Sequence, residues 1–345
     1  MDPRSEVVLR QTDYIQGSVL LVGCAADNLM NQLQQSESVT SVQAWTWLFD
    51  DYQQLLARHP AQCHFGITPP AQHLRQVIIF LPKSKELTNY LLHQAASHLE
   101  PNGQIFLVGE KRAGIERAAK QLQQFGKTIK LDSARHCQLW QCSQVQKPAT
   151  RALNDWTNQY QVSFAQHTQS IHVISLPGVF SHGRLDQGSA LLIEHLDGLP
   201  TGDLLDFGCG AGLIGTILKK KYPAQTVHFL DVDAFALEST RLTLQANQIA
   251  LDDSVQLIAG RGIADAPQQL AAIISNPPFH QGIHTHYQAS EDLLQHSHAH
   301  LKTSGELRIV ANSFLKYPPL IERQFDHCHS LAQRHGFHVY QARRS

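Results

Sequence analysis

Leu204-Leu205-Asp206-Phe207-Gly208-Cys209-Gly210-Ala211-Gly212 is a short apolar run closed by three alternate glycines, and a second apolar stretch (Leu213, Ile214, Ile217, Leu218) follows it. A buried parallel strand, a tight loop and a helix start have this pattern, which opens a doubly wound α/β fold. An earlier stretch, Val19-Leu20-Leu21-Val22-Gly23-Cys24-Ala25-Ala26-Asp27, reads the same way at an offset of 185. Two further echoes follow in the same order. Val77-Ile78-Ile79-Phe80-Leu81-Pro82 matches Ala272-Ile273-Ile274-Ser275-Asn276-Pro277 at an offset of 195, and the segment closing on Gly103-Gln104-Ile105-Phe106-Leu107-Val108 matches Gly305-Glu306-Leu307-Arg308-Ile309-Val310 at 202. Ordered self-similarity with slowly drifting offsets predicts two tandem Rossmann-like α/β domains, with amphipathic helices such as 234–247 and 290–301 between strands. The alternative is two unrelated α/β domains with a common strand pattern. The polar stretch 143–158 predicts the junction, with domains at 1–150 and 151–345.

The composition fits that size. The chain has 345 residues, 42% apolar and 17% charged, with 21 Gly and 15 Pro, which excludes disordered, collagenous and disulfide-scaffold proteins. Lys plus Arg number 28 against 29 Asp plus Glu, a net charge of -1, so a polyanion partner has to be held by a local patch. The best candidate is 111–135, where Lys111, Arg112, Arg117, Lys120, Lys127, Lys130 and Arg135 face only Glu116 and Asp132; the alternative is a solvated helix face. Six cysteines without a C-x-x-C pair read as reduced thiols, and the run 19–23 is too short for a signal core or a membrane span. A cytoplasmic chain with no membrane partner is expected.

Glycines in the loop after Phe207 let a ligand approach the backbone closely, and their spacing is G-x-G-x-G rather than the G-x-G-x-x-G of dinucleotide folds. Asp206 would repel a pyrophosphate yet accept hydrogen bonds from a cationic amino-acid moiety, which favours S-adenosylmethionine. A purely structural glycine turn is the competing interpretation. Asp231, 19 residues beyond Gly212 at the end of the next strand, is placed for both ribose hydroxyls, with Asp233 as a rival. Asn276-Pro277-Pro278-Phe279 ends a later strand. Paired prolines make a rigid turn that turns carbonyls and the Asn amide outward, which suits an amine nucleophile, and Phe279 suits a planar ring. Six histidines follow (His280, His284, His286, His296, His298, His300), but no zinc-type Cys or carboxylate spacing accompanies them, so no metal site is expected.

These residues resemble the class I S-adenosylmethionine-dependent methyltransferases with an N-P-P-[FY] motif and, more closely, the small-subunit ribosomal RNA guanine-N(2) methyltransferase C family. The resemblance runs through Val108-Gly109-Glu110-Lys111-Arg112, Leu176-Pro177-Gly178-Val179-Phe180-Ser181, Leu185-Asp186-Gln187-Gly188-Ser189 and Leu307-Arg308-Ile309-Val310-Ala311-Asn312. It implies a catalytic second domain, a degenerate non-catalytic first one, and methylation of a guanine of 16S rRNA in the small ribosomal subunit by a monomer. It further implies cofactor binding by Asp206, Gly208, Gly210, Gly212 and Asp231 and by Phe180 and Asp186 in a cap over the cofactor or target base, and substrate positioning by Asn276, Pro277, Pro278 and Phe279. Glutamine methylation of release factors and a non-catalytic RNA-binding assembly factor are the alternatives. Arg261 stands where relatives often place an acidic or amide residue near the adenine, which leaves the adenine contact unassigned. In the first half Ala25 and Asp27 stand at the places of Gly210 and Gly212, and Leu81 at that of Asn276, so neither cofactor binding nor amine activation is expected there.

Overall fold

The structure, a computed structural model, describes residues 1–345 except 71–73, 165–168, 181–182 and 278–283, and of 284–289 only the backbone. The chain divides into two compact units, Met1–Trp156 and Thr157–Ser345.

The first unit contains α1 (Pro3–Leu9), β1 (Gly17–Val22), α2 (Leu29–Gln34), β2 (Val39–Thr46), α3 (Phe49–Arg58), β3 (Cys63–Phe65), β4 (Leu74–Phe80), α4 (Lys85–His98), β5 (Leu99–Glu110), α5 (Ile115–Leu122), β6 (Lys127–Ala134) and β7 (Cys137–Ser143). The second opens with the hairpin β8 (Asn158–Phe164) and β9 (Gln169–Ser175), then α6 (Gln187–Ile193), β10 (Leu204–Phe207), α7 (Leu213–Lys221), β11 (Val227–Asp231) and α8 (Ala234–Ala246). It closes with β12 (Val255–Ala259), β13 (Leu270–Ser275), α9 (His284–His300), β14 (Leu301–Asn312), α10 (Tyr317–Glu322), β15 (His329–Arg334) and β16 (Phe337–Arg343).

Both units build a seven-stranded sheet, in the orders β3-β2-β1-β4-β5-β7-β6 and β12-β11-β10-β13-β14-β16-β15. These are one topology written twice. Six strands of each sheet run parallel and one, β7 or β16, runs antiparallel between its neighbours, with the order reversing beside β1 and β10, where ligands bind in such sheets. Each central strand is apolar on both faces because helices cover both; β10 and β13 are buried along their full length.

The domain boundary lies six residues beyond the expected 150/151. Packing explains it. His93 bonds through Nε2 to the Ala149 carbonyl at 3.0 Å, and Trp156 meets the Tyr90 and His93 rings edge-on at 5.2 Å, so the polar junction is pinned to α4 of the first domain up to Trp156.

The ladder also corrects one pairing read from the sequence. Leu74 pairs with Leu99 and Gln76 with Gln104, just as Leu270 pairs with Leu301 and Ala272 with Glu306, each pair carrying the same register shift. The offset between β4 and β13 is therefore 196, and Phe80, not Leu81, stands at the place of Asn276.

Candidate active site

At the carboxyl end of β10 the chain turns through Gly208, Gly210 and Gly212, whose φ values of 71, 55 and 77 demand glycine. The loop is tied to β11, with Gly208 N and Cys209 N donating to the Leu230 carbonyl at 2.8 and 3.1 Å. A side chain on Gly212 would strike Thr240 at 2.7 Å, whereas beside Gly208 and Gly210 there is open space. Open space above two positive-φ glycines is what a loop needs to receive a ligand, so the purely structural turn explains less than the cofactor reading.

Asp206 is buried and its Oδ2 accepts from Gly215 N at 2.7 Å, which braces the first turn of α7. Burial, with the Asp231 charge added, pushes its carboxyl up to about 7. Asp231 ends β11. Its Oδ2 accepts from Gly210 N at 2.9 Å and its Oδ1 from Asp233 N at 3.0 Å, so both oxygens are held at the loop; burial raises this carboxyl too. Asp233 caps α8 by accepting from Phe235 N at 2.8 Å, which gives the rival carboxylate a structural task; burial and the Asp231 charge push it up to about 7. A group of acids that resist ionisation for want of solvent is relieved by a cationic ligand. S-adenosylmethionine fits these residues.

Asn276 follows β13. Its Nδ2 donates to Asp186 Oδ1 at 3.1 Å and to Ser189 Oγ at 2.8 Å. Its Oδ1 is buried and has no hydrogen-bond partner among the described residues. Ser275 supports the turn by donating from Oγ to the Phe207 carbonyl at 2.8 Å. Pro277 is buried beside it, while Pro278, Phe279 and His280 lie outside the described residues.

Asp186 joins the Asn276 side of the site: it caps α6, with Oδ1 accepting from Ser189 N at 3.0 Å, and meets Asn276 rather than the glycine loop. Its charge also reaches Tyr160 on β8, whose phenol is pushed up to about 12, first by burial and then by this carboxylate. Phe180 stands half exposed between β9 and α6. Arg261, where the adenine contact was open, pairs with Asp265 at 3.7 Å. Ser189 was missed as a site residue, because nothing local distinguishes it from any serine in a first helical turn. Among the described residues no three His, Cys, Asp or Glu side chains gather to hold a metal ion.

The reversal of strand order at β10, the glycine loop, Asp231 and the Asn-Pro turn define an α/β methyltransferase. Residues 170–341 match the family described as Methyltransferase small domain, and 5–160 match Methyltransferase small domain N-terminal. A protein of Ectopseudomonas mendocina (strain ymp) named Ribosomal RNA small subunit methyltransferase C is 56% identical over 344 residues, covering 100% of both chains. Another of that name, from Stutzerimonas stutzeri (strain A1501), is 55% identical over 99% of each. The chain belongs to the ribosomal RNA small subunit methyltransferase C family. Its fold matches that of a T. thermophilus 16S rRNA N2 methyltransferase solved in complex with AdoMet and guanosine, with a TM-score of 0.83 over 100% of this chain and 92% of that one, at 21% identity.

Proposed function

We propose that the second domain transfers a methyl group from S-adenosylmethionine to the exocyclic N2 amine of a guanine in 16S rRNA of the small ribosomal subunit. The observation that carries this reading is the Asn276 Oδ1, a buried acceptor with no partner among the described residues, at the end of the strand beside the glycine loop. S-adenosylmethionine, when bound, supplies a methyl group made electrophilic by its sulfonium. Gly208, Gly210 and Gly212 would receive it along the backbone, Asp231 its ribose hydroxyls, and Asp206 acts through the loop it braces. Asn276 Oδ1 accepts a hydrogen bond from the guanine amine, which turns the nitrogen lone pair toward the methyl group and sets the line of attack. The methylated nitrogen is strongly acidic and sheds its proton to solvent, so a dedicated general base is not needed. Pro277 stiffens the turn, and the base is flipped out to reach the site.

The first domain is non-catalytic in this reading. Trp47 fills the space beside its loop, since a side chain on Gly23 would meet that ring at 2.8 Å. Its place is to hold RNA: Lys111, Arg117, Lys120 and Lys127 are exposed, while Arg112 is paired with Glu110 and Arg135 with Glu6. Among the described residues no helix is long and apolar enough to cross a membrane, and the chain is proposed to act as a cytoplasmic monomer.

The test is tritiated methyl transfer to unmodified small subunits, naked 16S rRNA and release factors, followed by nucleoside analysis. N2-methylguanosine from the wild type and a loss of roughly 100- to 1000-fold in Asn276→Ala with cofactor binding intact is expected. Label in protein alone would replace the substrate, and failure to bind the cofactor would revive the assembly-factor alternative.

A further inference from the structure

Asn276 is oriented by groups 90 and 87 positions earlier in the chain. A side-chain amide can be turned either way, and the two orientations present opposite chemistry: a carbonyl acceptor or an NH2 donor. An ionised carboxylate only accepts. With Asp186 Oδ1 at 3.1 Å, the nitrogen must lie on that side, and Ser189 Oγ takes its second proton at 2.8 Å. Both amide protons are used, so Oδ1 faces away from them as a bare acceptor. Asp186 is itself held by the Ser189 backbone N–H at the start of α6. Gly188 keeps the approach clear, because a side chain there would reach Asp186 Oδ1 at 3.1 Å and the Phe337 ring at 3.3 Å.

The first domain carries an independent trace of the same unit. α1 packs on β5 and β7 as α6 packs on β14 and β16, and the two helices align as Asp2-Pro3-Arg4-Ser5 with Asp186-Gln187-Gly188-Ser189. The aspartate again caps the helix, accepting from Arg4 N at 2.8 Å. The asparagine place holds Phe80, and its two former partners have no amide to bind. Ser5 Oγ is buried with no partner among the described residues. Asp2 pairs instead with Arg4, which stands at the place of Gly188, at 2.7 Å, and that guanidinium lies over the Phe80 ring at 5.4 Å. Where the asparagine is gone, the serine is orphaned and the aspartate has a new partner.

We infer that Asp186 and Ser189 are the positioning residues of the reaction: together they lock the Asn276 amide with its carbonyl oxygen toward the nucleophile, which restricts the site to nitrogens that carry an N–H. This rests on the proposed function for its substrate, a guanine amine. A guanine ring nitrogen with only a lone pair to offer, such as N7, finds an acceptor facing it and is rejected.

Asp186→Ala is the decisive variant, because the one oxygen, Oδ1, accepts from both Ser189 N and Asn276 Nδ2 and alanine removes it, whereas in Asp186→Asn an amide oxygen that keeps the cap also keeps the acceptor for Asn276. On unmodified small subunits the kcat of Asp186→Ala falls roughly tenfold, with the KM for S-adenosylmethionine unchanged, that of Ser189→Ala falls about threefold, and Asp186→Asn, which keeps the acceptor, restores most of the loss. In the Asn276→Ala background neither change lowers kcat further, since the group they orient is gone. Wild-type kcat in Asp186→Ala, no rescue by Asp186→Asn, or losses that multiply in the double variants, would overturn the inference while leaving the proposed function standing. A wild type that labels no RNA would overturn that function and leave a second measurement to decide the inference. The Asn276 side-chain NH2 signals, assigned by their disappearance in Asn276→Ala, exchange slowly with solvent in the wild type and roughly tenfold faster in Asp186→Ala. An unchanged exchange rate overturns it.

Discussion

The two domains share one topology and differ at the carboxyl ends of the same three strands. After β10 the loop is open above Gly208; after β1 the equivalent Gly23 is covered by Trp47. At the end of β11 Asp231 accepts from Asp233 N, and at the end of β2 Thr46 Oγ1 accepts from Leu48 N at 3.2 Å, keeping the turn and losing the carboxylate. Asp206 becomes Leu21, buried in the core, and Asp27, at the place of Gly212, binds Asp2 N and Leu29 N within the domain. The sheet needs its apolar strands to fold, but nothing in its packing needs an open pocket. A copy released from binding a cofactor can therefore close its pocket with a large side chain and gain burial.

Removing the plug tests this most severely. Trp47→Ala should destabilise the first domain by about 3–5 kcal/mol without creating a cofactor site, because Thr46 and Ala25 still stand where Asp231 and Gly210 are needed. All four tryptophans of the chain lie in this domain, so denaturant unfolding followed by tryptophan fluorescence reads it selectively. Cofactor binding regained by this single change would break the comparison.

Asp206 against Leu21 comes next, as a dependence on pH. A carboxyl raised from 3.8 to about 7 keeps its proton in the folded state after the unfolded chain has lost it. Between those values the folded state binds more protons, so stability present below pH 3.8 is lost as pH rises through about 7. Asp206→Asn should flatten this fall and raise the melting temperature of the cofactor-free second domain at pH 8, read by circular dichroism. A wild-type-like pH profile in the variant would remove Asp206 as the source.

Gly210→Ala introduces the residue that stands at this loop position in the first domain. It forces a side chain to φ 55 and into the open space, and should weaken S-adenosylmethionine binding about tenfold by equilibrium dialysis, from a backbone cost of about 1–2 kcal/mol. Unaltered affinity would mean that the cofactor does not approach this glycine.

The smallest effect has the opposite sign in the two domains. Ser5→Ala removes an unpaired buried hydroxyl and should stabilise the first domain by about 1 kcal/mol, whereas Ser189→Ala removes a bonded one and should not stabilise the second. A loss of stability in Ser5→Ala would show that this hydroxyl has found a partner.

Apolar runs closed by glycine or proline, repeated in order, were enough to read two α/β domains, because the pattern of a buried strand is local. Asp231 was legible for the same reason, as a carboxylate at a strand end a fixed distance past the glycines. The register was not. Aligning Pro82 with Pro277 placed Leu81 opposite Asn276, and a slip of one residue in a strand is invisible until the neighbouring strands fix it. The sequence favoured Asp231 over Asp233 by spacing alone, and only the fold gave Asp233 its separate task as the cap of α8.

Strand and loop identities, the duplication and the chemical types at the site were determined by residues close together in the chain, whose spacing reflects the geometry of single elements. Tertiary structure alone decided that Asp186 and Ser189 meet Asn276, that Trp47 closes one pocket and that Ser5 is left unpaired. Each of these depends on side chains from distant segments being packed to within a hydrogen bond or a van der Waals radius. Only the folded sheet sets distances of that kind.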